Sequence, residues 1–83
     1  MRNMIRVTVK LAGAAAEAVG SPALEYGVMP GAPLGSLIAM LCAKHSRLGE
    51  LLADMKFAVN GERCALDVAL SDGDEIRVMP SFQ

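Results

Sequence analysis

The chain has 83 residues, a formal net charge of −1 and a hydrophobic content of 53%. This length predicts one small domain, residues 1–83, with no room for a second domain or a deep catalytic cleft. The basic residues occur singly along the sequence, which argues against nucleic-acid binding, and no apolar run approaches the roughly 20 residues that span a bilayer. Charges interrupt the apolar residues of segment 1–10, which excludes a signal peptide. We therefore expect a soluble, cytoplasmic protein.

Alternating apolar and polar residues predict the first two strands. Apolar side chains stand at every second position from Ile5 to Leu11, which indicates a half-buried strand. Leu24, Tyr26 and Val28 repeat this spacing, and we expect this second strand to pair with the first as a hairpin. The segment that connects them, residues 13–20, is rich in alanine and predicts a helical turn.

The middle of the chain predicts the main helix. Pro30 and Gly31 favour a turn, and Pro33 suits the first turn of a helix because its missing N–H costs nothing there. The apolar face of this helix has the spacing i, i+3, i+4 and i+7, at Leu34, Leu37, Ile38 and Leu41. Ala32 offers no side-chain acceptor where Ser or Thr would add about 1 kcal/mol, so the cap is predicted to be poor.

A second short helix is predicted from Leu48 to Met55, with Leu51 and Leu52 facing inward. The third strand is predicted to begin at Phe57. It is followed by Asn60-Gly61, a strong signal for a type I′ hairpin turn.

Two inward anchors, Leu66 and Leu70, are predicted in the irregular segment that follows this hairpin. Residues 72–74 (Asp-Gly-Asp) predict a solvated acidic turn. The last strand then follows, with Ile76 and Val78 facing inward.

Candidate catalytic and metal-binding residues are few. Cys42 and Cys64 are predicted to be inert, partly buried thiols, and two cysteines cannot supply the four ligands of a ferredoxin cluster. His45 follows Cys42 at a Cys-x-x-His spacing, but the sequence has no second pair of zinc ligands. We therefore expect His45 to lie at a helix C-terminus, where it interacts favourably with the helix dipole.

The acidic residues near the end of the chain lack the spacing of a calcium loop; they are Asp67, Asp72, Asp74 and Glu75. The sequence therefore predicts no metal site, no cofactor and no active site of its own. If the protein takes part in catalysis, another subunit supplies the catalytic residues.

Several motifs occur in a characteristic order: the opening strand around residues 5–7, Pro-Gly-Ala at 30–32, Leu-Gly-Ser-Leu at 34–37, Val-Asn-Gly at 59–61 and Leu-Ser-Asp-Gly-Asp-Glu-Ile at 70–76. This order resembles the MoaD/ThiS family of small ubiquitin-like sulfur-carrier proteins, nearest the MoaD branch, the molybdopterin synthase small subunits. The resemblance implies an α+β fold of the β-grasp (ubiquitin-like) type, with a mixed sheet of four to five strands packed on one main helix.

The resemblance also implies a chemistry for the C-terminus. Members of the family end in Gly-Gly, and an activating enzyme adenylates the terminal carboxylate before a sulfur donor converts it to a thiocarboxylate. In this chain Pro80 matches the first proline of the family's tail motif, but no residue matches the two terminal glycines. The resemblance implies that the partner enzyme admits this tail through a narrow channel, which glycine fits because it has no side chain. We therefore expect Phe82 and Gln83 to be too bulky for that channel.

Three functional hypotheses follow. In the first, the protein is not an enzyme but a MoaD/ThiS-like protein that docks to a partner enzyme through its outward sheet face and last strand. Its predicted partner-binding residues are Arg77, Met79, Pro80, Ser81, Phe82 and Gln83. Among these, an outward Arg beside an exposed Met and Phe has the composition of a protein–protein anchor.

In the alternative, the protein is a molybdopterin-synthase-type sulfur carrier in molybdenum cofactor biosynthesis whose Gly-Gly tail is altered or removed. A third hypothesis is an isolated β-grasp module that serves as a structural subunit beside a metal-cofactor enzyme. The expected partner is a protein in each case: an activating enzyme, a molybdopterin-synthase-like large subunit or another enzyme subunit.

Overall fold

The structure is a computed structural model that describes residues 4–51 and 55–80. In chain order its elements are β1 (Ile5–Leu11), α1 (Ala14–Val19), β2 (Ala23–Val28), α2 (Leu34–Lys44), α3 (Ser46–Leu51), β3 (Met55–Val59), β4 (Glu62–Cys64) and β5 (Glu75–Pro80). No helix within these ranges combines the length and the apolar content that a membrane crossing requires. The helical turn predicted between the first two strands is confirmed as α1.

The strands form one mixed sheet of five strands in the order β2-β1-β5-β3-β4. The predicted hairpin of β1 and β2 is confirmed, with Ile5 opposite Val28. The last strand, β5, occupies the centre of the sheet, where it runs parallel to β1 and antiparallel to β3. The predicted α+β class and strand number are confirmed, and Pro80, the last described residue, belongs to the strand that is paired on both sides.

The hydrophobic core lies between one face of the sheet and the helices. The largest side chains that are fully buried come from β1, β5, α2, α3 and the irregular segment before β5: Val7, Val9, Leu34, Leu37, Leu41, Leu48, Leu70, Ile76 and Val78. All four apolar positions predicted for the main helix are buried. The inward orientation of Ile76 and Val78 is also confirmed. The periodicities of two and 3.6 therefore identified the core correctly.

The first turn of α2 is capped by backbone rather than by a side chain. Pro33 is the N-cap residue and makes no side-chain cap hydrogen bond. Instead, the N–H groups of Leu34 and Gly35 donate to the carbonyl oxygens of Val68 and Leu66, each at 2.8 Å. The irregular segment before β5 therefore satisfies helix N–H groups that would otherwise lack partners. The cap makes no side-chain hydrogen bond, as predicted, but the N-cap residue is Pro33 and not the predicted Ala32, and tertiary structure compensates for it.

The bounds predicted for the second short helix and for the third strand are wrong. The second short helix is α3, which ends at Leu51, and Met55 belongs to β3, which starts two residues before the predicted Phe57. The buried residue of α3 is Leu48, whereas Leu51 is half-buried and Leu52 lies outside the described residues.

Leu66, predicted as an inward anchor, is 41% exposed. Its carbonyl accepts the hydrogen bond from Gly35, and a Cβ placed on Gly35 would lie 3.3 Å from that oxygen. It is therefore the Leu66 backbone that approaches the helix closely, and the side chain remains at the surface. Leu70 is buried as predicted.

The two turns that flank the end of the sheet are joined by a polar network. Asn60 and Gly61 have φ values of 53° and 87°, as the predicted type I′ turn requires. Asp74 is 9% exposed and not solvated as predicted. Its carboxylate accepts hydrogen bonds from Asn60 Nδ2 at 2.9 Å and from the Ser71 N–H at 2.8 Å, and Asn60 Oδ1 accepts one from the Glu75 N–H. Asp74 is buried because it organises both turns.

Candidate docking site

The sheet has a second face, directed away from the helices, which we call the open face. Its side chains are those that alternate with the core positions along each strand. They are Arg6, Thr8 and Lys10 of β1, Ala23, Glu25 and Gly27 of β2, Lys56 and Ala58 of β3, Arg63 of β4, and Glu75, Arg77 and Met79 of β5. The pleat of the strands thus separates an apolar face from a charged one.

Two of the predicted partner-binding residues lie on this open face. Arg77 is exposed, whereas Met79 is only half-buried and not exposed as predicted. Met79 stands opposite Lys56 on the neighbouring strand β3, one residue beyond the last pair of β5 with β1. Pro80 is the last residue of β5, opposite Met55. The other three predicted residues, Ser81, Phe82 and Gln83, lie outside the described residues.

Strand register brings basic residues from distant parts of the sequence together. Lys10 stands opposite Arg77, Arg77 opposite Ala58, and Ala58 opposite Arg63, so one row crosses four strands. Lys56 lies two pairs further along β5, opposite Met79 and on the same face. We call Lys10, Lys56, Arg63 and Arg77 the basic cluster. These residues are isolated from one another along the chain, so local sequence patterns do not predict the cluster.

Ion pairs on the open face leave part of the cluster unneutralised. Glu75 Oε2 lies 3.4 Å from Lys10 Nζ and 3.9 Å from a guanidinium nitrogen of Arg77. At the other end of the sheet, Arg6 pairs with Glu25 at 3.2 Å. In the part of the chain that the structure describes, Lys56 and Arg63 form no ion pair. Because the paired side chains are exposed, their mutual attraction adds little stability.

Ala58 forms a recess within the basic row. It is only 3% exposed although its side chain belongs to the open face. Its cross-strand neighbours are Arg63 and Arg77, whose long aliphatic stems cover apolar surface while the charged groups stay in water. Ala58 therefore separates the cations of the row without adding exposed apolar surface of its own.

The two thiols and the histidine do not form a reactive group. Cys42 and Cys64 are free and partly buried, as predicted. Burial raises the pKa of the Cys64 thiol, which lowers its reactivity at neutral pH. His45 follows α2 as its C-cap residue, with its N–H donating to the Leu41 carbonyl oxygen at 2.8 Å. The described ranges contain no group of three or more His, Cys, Asp or Glu residues that could hold a metal ion.

Comparisons with known proteins agree on one family. The ThiS family profile matches residues 9–83. The molybdopterin synthase sulfur carrier subunit of Mycobacterium tuberculosis is 36% identical over 78 residues, which cover 93% of this chain and 94% of that protein.

Solved structures give the same result. A putative molybdopterin converting factor, subunit 1, from Pyrococcus furiosus superposes with a TM-score of 0.85 at 28% identity, covering 94% of this chain and 99% of that one. Small archaeal modifier protein 1 of Haloferax volcanii superposes with a TM-score of 0.82 at 29% identity, with the same coverage. The chain therefore belongs to the ThiS (MoaD/ThiS) family, and its five-stranded sheet packed on α2 is the ubiquitin-like β-grasp fold.

Proposed function

We propose that this protein is a sulfur carrier of the molybdopterin-synthase small-subunit type, acting in molybdenum cofactor biosynthesis. The observation that carries the proposal is the 36% identity to a molybdopterin synthase sulfur carrier subunit over 93% of the chain. That similarity favours the carrier over the docking-only protein that the sequence placed first. The proposed partners are an activating enzyme and a molybdopterin-synthase-like large subunit.

The position of β5 supports this role. The strand is hydrogen-bonded to β1 on one side and to β3 on the other, and the pairing with β3 continues to Pro80. Residues 81–83 therefore follow directly on a strand that is paired on both sides. A carrier needs this arrangement, because its docked body must fix the point from which the C-terminus reaches the partner's active site.

The proposed chemistry requires no catalytic side chain from this chain. By analogy with the family, the partner transfers AMP from ATP to a terminal carboxylate oxygen and releases pyrophosphate. Sulfur from a donor then replaces the adenylated oxygen, and AMP leaves. The reacting group belongs to the main chain, so the carrier contributes binding and presentation, and the partner contributes catalysis.

The experiment that tests this proposal is sulfur loading read by intact-protein mass spectrometry. The 83-residue chain and the double variant Phe82→Gly/Gln83→Gly are each incubated with an activating enzyme from the same genome, ATP and a sulfur donor. We expect the glycine variant to gain the mass difference of one oxygen replaced by sulfur, and the chain ending in Phe-Gln to react slowly. The bulk of Phe82 and Gln83 in a channel shaped for glycine is the reason.

Two results would count against parts of this proposal. If neither form is loaded while the M. tuberculosis carrier is loaded by its own enzyme under the same conditions, the carrier function is wrong. The docking-only function would then lead, provided that the chain still binds a partner. If both forms load at similar rates, the carrier function stands and the steric expectation for residues 82 and 83 is wrong.

A further inference from the structure

The basic cluster has the opposite sign to the molecule as a whole. The chain has a net charge of −1, yet four cations lie together on one half of the open face. Glu75 neutralises part of this charge through its contacts with Lys10 and Arg77. Lys56 and Arg63 have no acidic partner among the residues that the structure describes. A positive surface on an acidic protein is a specific feature and not a consequence of overall composition.

We propose that the basic cluster is a docking surface for an acidic patch on the partner enzyme, and that this contact steers the carrier into place. The inference rests on the proposed function, since the partner is the enzyme that receives the C-terminus. It adds which groups recognise each other: carboxylates on the partner face the cations Lys10, Lys56, Arg63 and Arg77.

The cluster's position next to the end of β5 supports this assignment. The pair Met79–Lys56 directly precedes Pro80, the last residue of the strand, in the register of β5 with β3. A partner bound to the cluster is therefore held beside the point from which residues 81–83 continue. Charges at such a site accelerate the encounter and also orient it, because complementary potentials favour one approach over others.

The composition of the surface favours a protein over nucleic acid or a membrane. The row from β1 to β4 spans three strand spacings, about 14 Å, which is short for tracking a phosphate backbone. Apolar surface lies next to the cations at the exposed Ala23, opposite Lys10 on β2, and at the half-buried Met79 beside the row, so a partner can exclude water there. Arg and Met, which Arg63, Arg77 and Met79 supply here, are enriched in protein interfaces.

Charge reversal at the two unpaired cations tests the proposal. The double variant Lys56→Glu/Arg63→Glu is compared with the unmodified chain and with Arg47→Glu, which reverses an exposed charge on α3, on the opposite side of the sheet. Association and dissociation rates with the activating enzyme and the large subunit are measured from about 0.01 to 1 M salt, over which the Debye length falls from about 30 to 3 Å.

We expect the double variant to associate with at least one partner about tenfold more slowly at low salt, with a smaller change in dissociation. The difference should vanish at high salt, and Arg47→Glu should resemble the unmodified chain. Exchange of an acidic partner residue for lysine should restore the rate of the double variant. Thermal unfolding of each variant, with Lys56→Gln/Arg63→Gln as a neutral form, shows that the fold is retained.

Several outcomes would overturn the inference. Partner binding that is independent of salt, or equally slowed by Arg47→Glu, would show that the cluster is not the contact. The unmodified chain is also tested for binding to duplex DNA and to phosphatidylserine vesicles. If the double variant loses that binding but still binds the protein partners as the unmodified chain does, the cluster binds a polyanion and the inference is wrong. Sulfur loading distinguishes the failure of this inference from the failure of the carrier function. If the chain is loaded normally but its partner binding does not depend on salt, only this inference is wrong. If binding depends on the cluster but no sulfur is loaded, only the carrier function is wrong.

Discussion

The two faces of the central strand β5 differ in what they contribute. Ile76 and Val78 face the helices and are 0% and 1% exposed, whereas Arg77, between them, faces solvent. The core face stabilises the fold through burial of apolar area, about 25 cal/mol for each Å². The open face carries exposed charges whose contribution to stability is small. Stability and recognition therefore occupy alternate residues of one strand and can be changed separately.

The largest expected effect is loss of a core side chain. Ile76→Ala should lower the free energy of unfolding by about 3 kcal/mol, because it removes buried methyl groups and leaves a cavity. Arg77→Ala, one residue away, should change it by less than about 0.5 kcal/mol. Urea unfolding of both variants measures the difference, and similar losses at the two positions would show that the faces are not energetically distinct.

The next effect separates two carboxylates of the acidic turn. Asp74→Ala should cost about 2 kcal/mol, because it leaves the Ser71 N–H and Asn60 Nδ2 without their acceptor in a part-buried site. Asp72→Ala should cost about 1 kcal/mol or less, because the lost bond, from the Arg6 N–H at 2.8 Å, is exposed to water. Thermal unfolding of the pair checks this order, and a greater loss for Asp72→Ala would contradict the network we assign to Asp74.

A smaller effect compares two helical glycines. Gly49→Ala in α3 should stabilise the protein by about 0.5 kcal/mol, since alanine favours helix and the new Cβ meets Cys42 Cβ at 3.7 Å, an ordinary contact. Gly35→Ala in α2 should be less favourable than Gly49→Ala by about 1 kcal/mol, because its Cβ would lie 3.3 Å from the Leu66 carbonyl oxygen. Denaturant midpoints of the two variants, measured in parallel, test this difference in stability. Equal gains in stability at both positions would mean that the segment around Leu66 moves away from the new Cβ without any loss of stability.

The sequence predicted those parts of the fold that depend on local periodicity. The alternation from Ile5 to Leu11 and the helical spacing from Leu34 to Leu41 were both confirmed, because burial of one face dictates such patterns. The burial of Asp74 was missed because it depends on Asn60, which is brought near by the sheet and not by the sequence. The exposure of Leu66 was missed for a similar reason, since it follows from a backbone contact with Gly35.

The candidate site was less predictable than the fold. The outward orientation of Arg77 followed from the alternation along β5. Its neighbours Lys10 and Arg63 could be found only from the strand order and register, because they lie 67 and 14 residues away in the sequence. A search of the sequence for basic runs therefore has no means of detecting the basic cluster.

The smallest effect on stability is expected at Glu75, on the open face. Glu75→Gln removes the carboxylate that contacts Lys10 and Arg77 but keeps the backbone hydrogen bonds of β5. We expect a change in the free energy of unfolding of less than about 0.5 kcal/mol, because both ion pairs are exposed. The same substitution raises the positive charge of the open face by one, so association with an acidic partner should become faster at low salt. Stopped-flow binding at low and high salt measures this gain. A slower association would show that Glu75 itself faces a cation on the partner, and the sign we assign to the docking surface would then be wrong.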